Sequence, residues 1–214
     1  MKINNFRLFQ DDDTPIPFFP SPNIGGRLAP DMLIIHFTAG ANEAGAIAWM
    51  TDPKSQVSSH ILIGKAGAIT QLVPFNRIAW HAGTSAWKGR TALNRYAIGI
   101  ELDNPGQLKC VSNQWISSFK QVYPDEGVLV AKHKFGATIY GWPEYPDVQI
   151  ESATALAVLL VQTYKLSEIV GHDDVAPRRK WDPGPAFPID DFKTEVLRRA
   201  AELNDANQKP APRK

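Results

Sequence analysis

The sequence predicts a single α/β sheet domain, and three observations carry that expectation. Short continuous apolar runs recur along the chain, stretches with helical periodicity are interleaved with them, and 214 residues suit one hydrophobic core better than two. Unbroken apolar runs mark strands buried on both faces, and the interleaved helices can provide that cover.

Taken in order, residues 1–30 are polar and then proline-rich at Pro15, Pro17, Pro20 and Pro22, ahead of Gly25-Gly26. They read as an extended arm on the surface. Met32 to Ile35 is an apolar run that predicts a buried strand ending at His36. Asn42 is placed to cap a helix from Glu43 to about Thr51, which Pro53 stops. Ser59–Ile63 and Ala68–Val73 read as the strands of a hairpin around the Gly64–Gly67 turn. Ile98–Leu102 is a further strand, ended by Asn104-Pro105-Gly106. From 105 to 146 glycines, prolines and aromatics alternate weakly, and an irregular insert with some strand is expected. Asp147 is placed to cap a helix whose apolar face takes in Val148, Ser152, Ala155, Leu156, Leu159, Leu160 and Thr163. Ile169–Gly171 is a short apolar segment before His172. A last helix runs from about Asp191 to Leu203, with Phe192, Val196, Ala200 and Leu203 on its apolar side. The domain thus spans 31–203, and 204–214 forms a loose polar tail.

Lys and Arg number 23 against 22 Asp and Glu, a formal net charge of +1, so nothing argues for a nucleic-acid partner. The single cysteine, Cys110, excludes an internal disulfide and a cysteine-rich zinc knuckle. Asn4, Asn5, Arg7 and Gln10 interrupt the apolar run that a signal peptide needs, and the longest apolar stretch, Ala153 to Val161, is too short to span a bilayer. A soluble, cytoplasmic chain is expected, with non-Sec export or release as an endolysin as the other routes.

Three residues suggest chemistry. His36 and His172 each follow a short apolar segment, and Asp182 stands ten residues beyond His172 in a proline- and glycine-rich loop. Strand ends hold ligands well because the sheet fixes the backbone while side chains enter a cleft. Two imidazoles and a carboxylate suit Zn²⁺ and leave a fourth position for water. The same residues admit a plainer reading, with His36 ending a strand, His172 in the core and Asp182 in an Asp-Pro turn. Asp173 and Asp174 compete as ligands. Neighbouring side chains diverge, so both are read as turn or capping residues. His133 reads as an ordinary surface histidine.

The segments MLIIHFTAG, SSHILIGKAGAITQLVP, AWHAG, YAIGIELDN and IVGHDDVAPRRKWDPGPAFP occur in this order, the last being the most specific. Together they resemble the type 2 N-acetylmuramoyl-L-alanine amidase family over about residues 31–190. That family takes in recycling and outer-membrane amidases, some phage endolysins and, more distantly, the peptidoglycan recognition proteins. The resemblance implies a central mixed β-sheet flanked by helices, zinc held by His36, His172 and Asp182, and hydrolysis of the amide between N-acetylmuramic acid and L-alanine. It implies that Glu101 is the catalytic glutamate, a general base, and Lys180 the catalytic lysine, steadying the oxyanion. His81 matches a histidine lining the substrate cleft, and His60 a structural position. Asp182 stands where the recognition-protein branch carries cysteine, which places the chain on the aspartate-bearing side of the family.

For the substrate, peptidoglycan or a soluble muropeptide, Asn94 and Arg95 are candidate stem-peptide ligands, since a guanidinium pairs two-pronged with a carboxylate. Trp80, Trp87, Trp115, Trp142 and Tyr145 are candidate sugar platforms, with core packing as the default for each. The competing functions are a module that binds peptidoglycan without cutting it and a zinc hydrolase of another specificity.

Overall fold

The computed structural model describes residues 1–208, with side chains to Asn204. The chain opens with β1 (Lys2–Asn4), β2 (Arg7–Phe9) and β3 (Ile24–Arg27), followed by β4 (Met32–Phe37), α1 (Glu43–Thr51), β5 (Ile61–Ile63) and β6 (Ile69–Gln71). Next come β7 (Arg77–Ala79), β8 (Ala86–Trp87), β9 (Arg90–Thr91), a 3₁₀ turn at Leu93–Arg95, and β10 (Ala97–Leu102). The insert holds β11 (Lys109–Val111), β12 (Gln114–Ile116), β13 (Val122–Tyr123), β14 (Val128–Lys132) and β15 (Ile139–Pro143). The last elements are α2 (Asp147–Tyr164), β16 (Glu168–Gly171), α3 (His172–Val175) and α4 (Ile189–Gln208).

The central sheet is mixed, in the order β16-β4-β10-β5-β6, with only the β5–β6 hairpin antiparallel. Its register decides where chemistry can sit. Ile35 pairs with Gly171, so His172 lies just beyond the end of β16, beside His36, while Glu101 on β10 pairs directly with His36 on β4. Three carboxyl-terminal strand ends therefore deliver two histidines and a glutamate to one edge, the usual place for ligands on parallel sheets.

Strand alternation then separates two faces. Leu33, Ile35, Ile98, Ile100 and Ile169 join the large core under α2 and α4. Met32, Ile34, Ala97 and Val170 lie on the other face with Ala82, Leu93 and Val175. On that second face α1 covers only the β5 end, where Ala46 and Met50 pack on Leu62 and Leu72. His36 and Glu101 share the second face by parity, in the gap that α1 leaves.

Expected and observed elements differ in instructive places. The arm does more than lie on the surface: it runs along the edge strand β6 through Phe19 N–H to Gln71 O and Ser21 N–H to Leu72 O. It also buries Leu8, Ile16 and Leu28 in the main core. The arm thus covers an otherwise open sheet edge. Asn42 caps α1 as expected, its Oδ1 accepting from Gly45 N–H at 2.8 Å. Asp147 does not cap α2. Pro146 takes the cap position, and Asp147 begins the helix, where its charge favours the positive dipole end.

The buried face of α2 is rotated from the expected one. Val148 is 52% exposed, whereas Gln149, Ala153, Leu156, Ala157 and Leu160 are buried. Gln149 explains the shift, for its Nε2 donates to Ile63 O and Asp103 O, satisfying carbonyls at the ends of β5 and β10. The polar residue belongs inside because it has partners there. In α4, Phe192, Val196 and Ala200 are buried as the pattern predicts, but Leu203 is exposed and the helix continues to Gln208. The rest of the expected tail, 209–214, lies outside the described residues. The insert is more ordered than expected: β11-β12-β13 form an antiparallel sheet, β14-β15 a hairpin, and a Leu108–Gly141 bridge joins the two. No helix among the described residues is long and apolar enough to cross a membrane.

Candidate metal centre

His36 Nδ1, His172 Nδ1 and Asp182 Oδ2 converge at 2.8 to 2.9 Å from one another, on three side chains that are all buried. Their outer partners fix what these atoms offer. His81 Nε2 faces Ala97 O at 3.2 Å, and a carbonyl only accepts, so Nε2 carries the His81 proton. In the neutral ring Nδ1 is then an acceptor, taking a hydrogen bond from His36 Nε2–H at 2.9 Å. That leaves His36 Nδ1 with a bare lone pair. His172 repeats the logic, since its Nε2–H donates to Ala82 O at 3.1 Å. Two lone pairs and a carboxylate oxygen thus meet with no hydrogen between them, which only a shared proton or a cation can reconcile.

Electrostatics agree with a metal site. Burial, reinforced by the neighbouring His172, pulls the His36 pKa down to about 4, so the ring is neutral and free to ligate at pH 7. Burial opposes ionisation of Asp182, yet in the metal-free fold, where a shared proton takes the place of the cation, the contacts with His172 and His36 outweigh it and hold the carboxyl below its ordinary range. The donor set, two imidazoles and a carboxylate, is that of a catalytic zinc site. Ligand atoms on a tetrahedral zinc stand about 3.3 Å apart, so modest opening of the cluster fits the ion.

The cluster lies at the bottom of a groove of about 640 Å³. Glu101 lines it beside the cluster, with Oε2 buried and without a hydrogen-bond partner among the described residues. Burial, and then the charge of Asp182, raise its pKa well above the ordinary carboxylate value, against a smaller opposing pull from Lys180. Lys180 also lines the groove. An unsatisfied carboxyl facing a cleft marks a place that awaits a partner.

The remaining candidates divide. His81 lines the groove, but both its ring nitrogens are engaged, so it orients His36 and has no proton to offer a substrate carbonyl. Gly99 makes room for it: a Cβ there would lie 2.7 Å from the His81 ring and 2.9 Å from Ser59 Oγ. His60 is buried, accepting from Gly99 N–H at Nδ1 and donating to Arg77 O, a structural role. Asn94 lines the groove, and its Oδ1 accepts from the N–H groups of His81 and Ala82, so it shapes the His81 loop. Arg95 is exposed and is not brought to the groove; the guanidinium that lines it is Arg179, held by Ala82 O and Thr84 O.

Of the aromatics, Trp142 and Tyr145 are buried and Trp115 packs over Gly141, whereas Trp80 lines the groove. Trp49, which the sequence reading passed over, lines it too and is 59% exposed. Its only sequence signal was spacing, since Gly45, Ala46, Trp49 and Met50 share one face of α1. His133 is buried and hydrogen-bonded to Asp173 at 2.8 Å, so it is not a surface histidine. Asp174 does act as a cap, accepting from Gly171 N–H.

A sequence model of the N-acetylmuramoyl-L-alanine amidase family matches residues 26–185. The chain is 36% identical to N-acetylmuramoyl-L-alanine amidase AmiD of Escherichia coli K12 over 73% of its own length and 50% of that protein. It is 33% identical to 1,6-anhydro-N-acetylmuramyl-L-alanine amidase AmpD of the same strain, over 66% of its own length and 59% of the relative's. The match therefore spans half to three-fifths of these relatives. Among solved structures, a selenomethionine derivative of AmpD superposes with a TM-score of 0.66 at 28% identity, covering 92% of this chain and 99% of the other. Escherichia coli AmiD, in complex with anhydro-N-acetylmuramic acid-L-Ala-D-γ-Glu-L-Lys, gives 0.60 at 32% identity, covering 80% and 59%.

Proposed function

The chain belongs to the N-acetylmuramoyl-L-alanine amidase family, and on that premise we propose that it hydrolyses, with zinc, the amide joining N-acetylmuramic acid to L-alanine in peptidoglycan or muropeptides. The observation that carries the reading is the meeting of the His36, His172 and Asp182 acceptors in a groove beside the unpartnered Glu101 carboxyl.

An amide is inert because resonance weakens its carbonyl as an electrophile and its nitrogen leaves poorly. His36, His172 and Asp182 would hold the zinc, which when bound would supply Lewis acidity to polarise that carbonyl and to acidify water near neutral pH. Glu101 accepts the proton of the attacking water and passes it to the alanine nitrogen as the C–N bond breaks. Lys180 places positive charge where the carbonyl oxygen becomes anionic, an effect typically worth about 3 kcal/mol. His81, fixed on Ala97 O, keeps the proton of His36 on Nε2, so that His36 Nδ1 would be free to ligate.

The reading is tested by incubating the protein with anhydro-N-acetylmuramyl peptides and with whole sacculi, then analysing products by mass spectrometry. Peptides with a free L-alanine amino end should appear, vanish after chelation and return with zinc. Zinc-loaded protein that binds these substrates and never cleaves them would favour the binding-module alternative. Faster turnover of soluble fragments than of sacculi indicates recycling, and the reverse indicates wall lysis.

Trp49 and Trp80 line the groove away from any packing role large enough to bury them. Their rings suit the apolar face of a sugar, worth about 1 kcal/mol per stacked ring, or roughly fivefold in affinity. Trp49→Ala should therefore raise KM on glycan-bearing substrates about fivefold, with kcat and stability nearly unchanged. An unaltered KM would remove Trp49 from the substrate site.

A further inference from the structure

The metal ligands His172 and Asp182 lie on segments that the insert grips from several sides. Tyr145, just after β15, donates its hydroxyl to Pro183 O at 2.8 Å. Trp142 on β15 lies where a Cβ on Gly184 would fall, 2.8 Å from its ring. The His133 ring, directly after β14, meets Trp181 edge-on at 4.8 Å between centroids. These three contacts take hold of residues 181, 183 and 184, on either side of Asp182.

The remaining contact is polar and reaches the other ligand. His133 and Asp173 are each 2% exposed and bonded Nε2 to Oδ2 at 2.8 Å. Phe135 N–H donates to His133 Nδ1, which leaves the ring proton on Nε2, directed at Asp173. Asp173 follows His172 in the chain, and its own N–H donates to Asp182 O at 2.8 Å. One residue thus ties the backbone of both ligand segments together and is itself held by a side chain from the insert. Lys134 adds a contact to Asp173 Oδ1 at 2.9 Å and to Asp174 Oδ1 at 2.6 Å. Burying such a pair has a desolvation cost that apolar residues would avoid, so packing alone gives no reason for it.

We propose that His133 is a positioning residue: through Asp173 it fixes the spacing of His172 and Asp182, so that the insert sets the metal affinity of the site. This rests on the zinc reading above. Outer partners that orient a ligand typically govern affinity by 10- to 100-fold, and here the partner acts on the backbone of two ligands at once.

The test is the zinc dissociation constant of the full chain, measured by competition with a chromophoric chelator, with thermal unfolding of the metal-free protein alongside. His133→Gln and Asp173→Asn should each weaken zinc binding about 10- to 100-fold, and the double variant no more than the worse single one. The variant His133→Leu/Asp173→Leu, which replaces the pair by apolar bulk, guards against loss of folding. It should recover the unfolding temperature while its affinity stays weakened. Dissociation constants within twofold of the parent, or full recovery of affinity in the leucine pair, would overturn the proposal and leave the pair a fold element only. A parent protein that takes up no zinc would sink the metal reading itself, a different and separable result.

Discussion

Asp182→Ala is expected to leave the protein without bound zinc and to lower kcat/KM on muropeptides by at least about a thousandfold. Asp182 is the one anionic member of the cluster, and its Oδ2 touches both histidine Nδ1 atoms. Without it two neutral imidazoles remain, and Lewis-acid help of several kcal/mol is lost, each 1.4 kcal/mol being a factor of about ten. Asp182→Asn keeps the shape but not the charge and should fail nearly as badly. There is a stability consequence as well. The folded carboxyl titrates below its ordinary value of 3.8, so the unfolded chain binds the proton more readily. Ionised Asp182 therefore stabilises the metal-free fold above about pH 4, and that contribution is lost as pH falls through the folded pKa. Metal content by elemental analysis and turnover on a defined muropeptide check the main claim. Full zinc occupancy with undiminished turnover in Asp182→Ala would refute it.

Much of the centre was legible because sheet register is written into apolar runs. Met32–Ile35, Ile98–Leu102 and Ile169–Gly171 are unbroken, and strands of that kind are buried on both faces, so the residues at their ends meet at one sheet edge. His36 and Glu101 became partners through a register that no single segment reveals. What sequence periodicity could not show was partnership. Gln149 is buried because two carbonyls wait for it, and His133 because Asp173 does. Both are polar residues whose burial depends on chain distant in sequence, 86 residues away for Gln149 and Ile63 and 40 for His133 and Asp173. The strands of the insert were obscure for a related reason. β11 is exposed along its length and β14 nearly so, so neither carries the alternation that marks a half-buried strand. Arg95 shows a different limit: its chemistry suits a carboxylate, but the 3₁₀ turn leaves it exposed, and the guanidinium that lines the groove is Arg179.

Glu101→Gln separates chemistry from metal binding more sharply than any ligand variant, because Glu101 stands beside the cluster without belonging to it. Loss of a general base should lower kcat about 10²- to 10⁴-fold, with zinc content unchanged and KM little altered. The pH dependence carries a second signature. In the metal-free fold burial raises the Glu101 pKa well above 4.5. The acid limb that Glu101 contributes to kcat/KM should disappear in the variant, since glutamine takes up no proton. Stability moves the other way. Between 4.5 and its folded pKa the native Glu101 holds a proton that the unfolded chain has released, so folding stability falls as pH rises through that window. Glutamine cannot ionise, and metal-free Glu101→Gln should therefore withstand denaturant better than the metal-free parent at pH 7, the gap closing below about pH 4. A slower enzyme on a sturdier fold is the expected pair of results. A variant that loses its zinc, or one no more stable than the parent at neutral pH, would show that Glu101 is not the isolated buried carboxyl on which this chemistry depends.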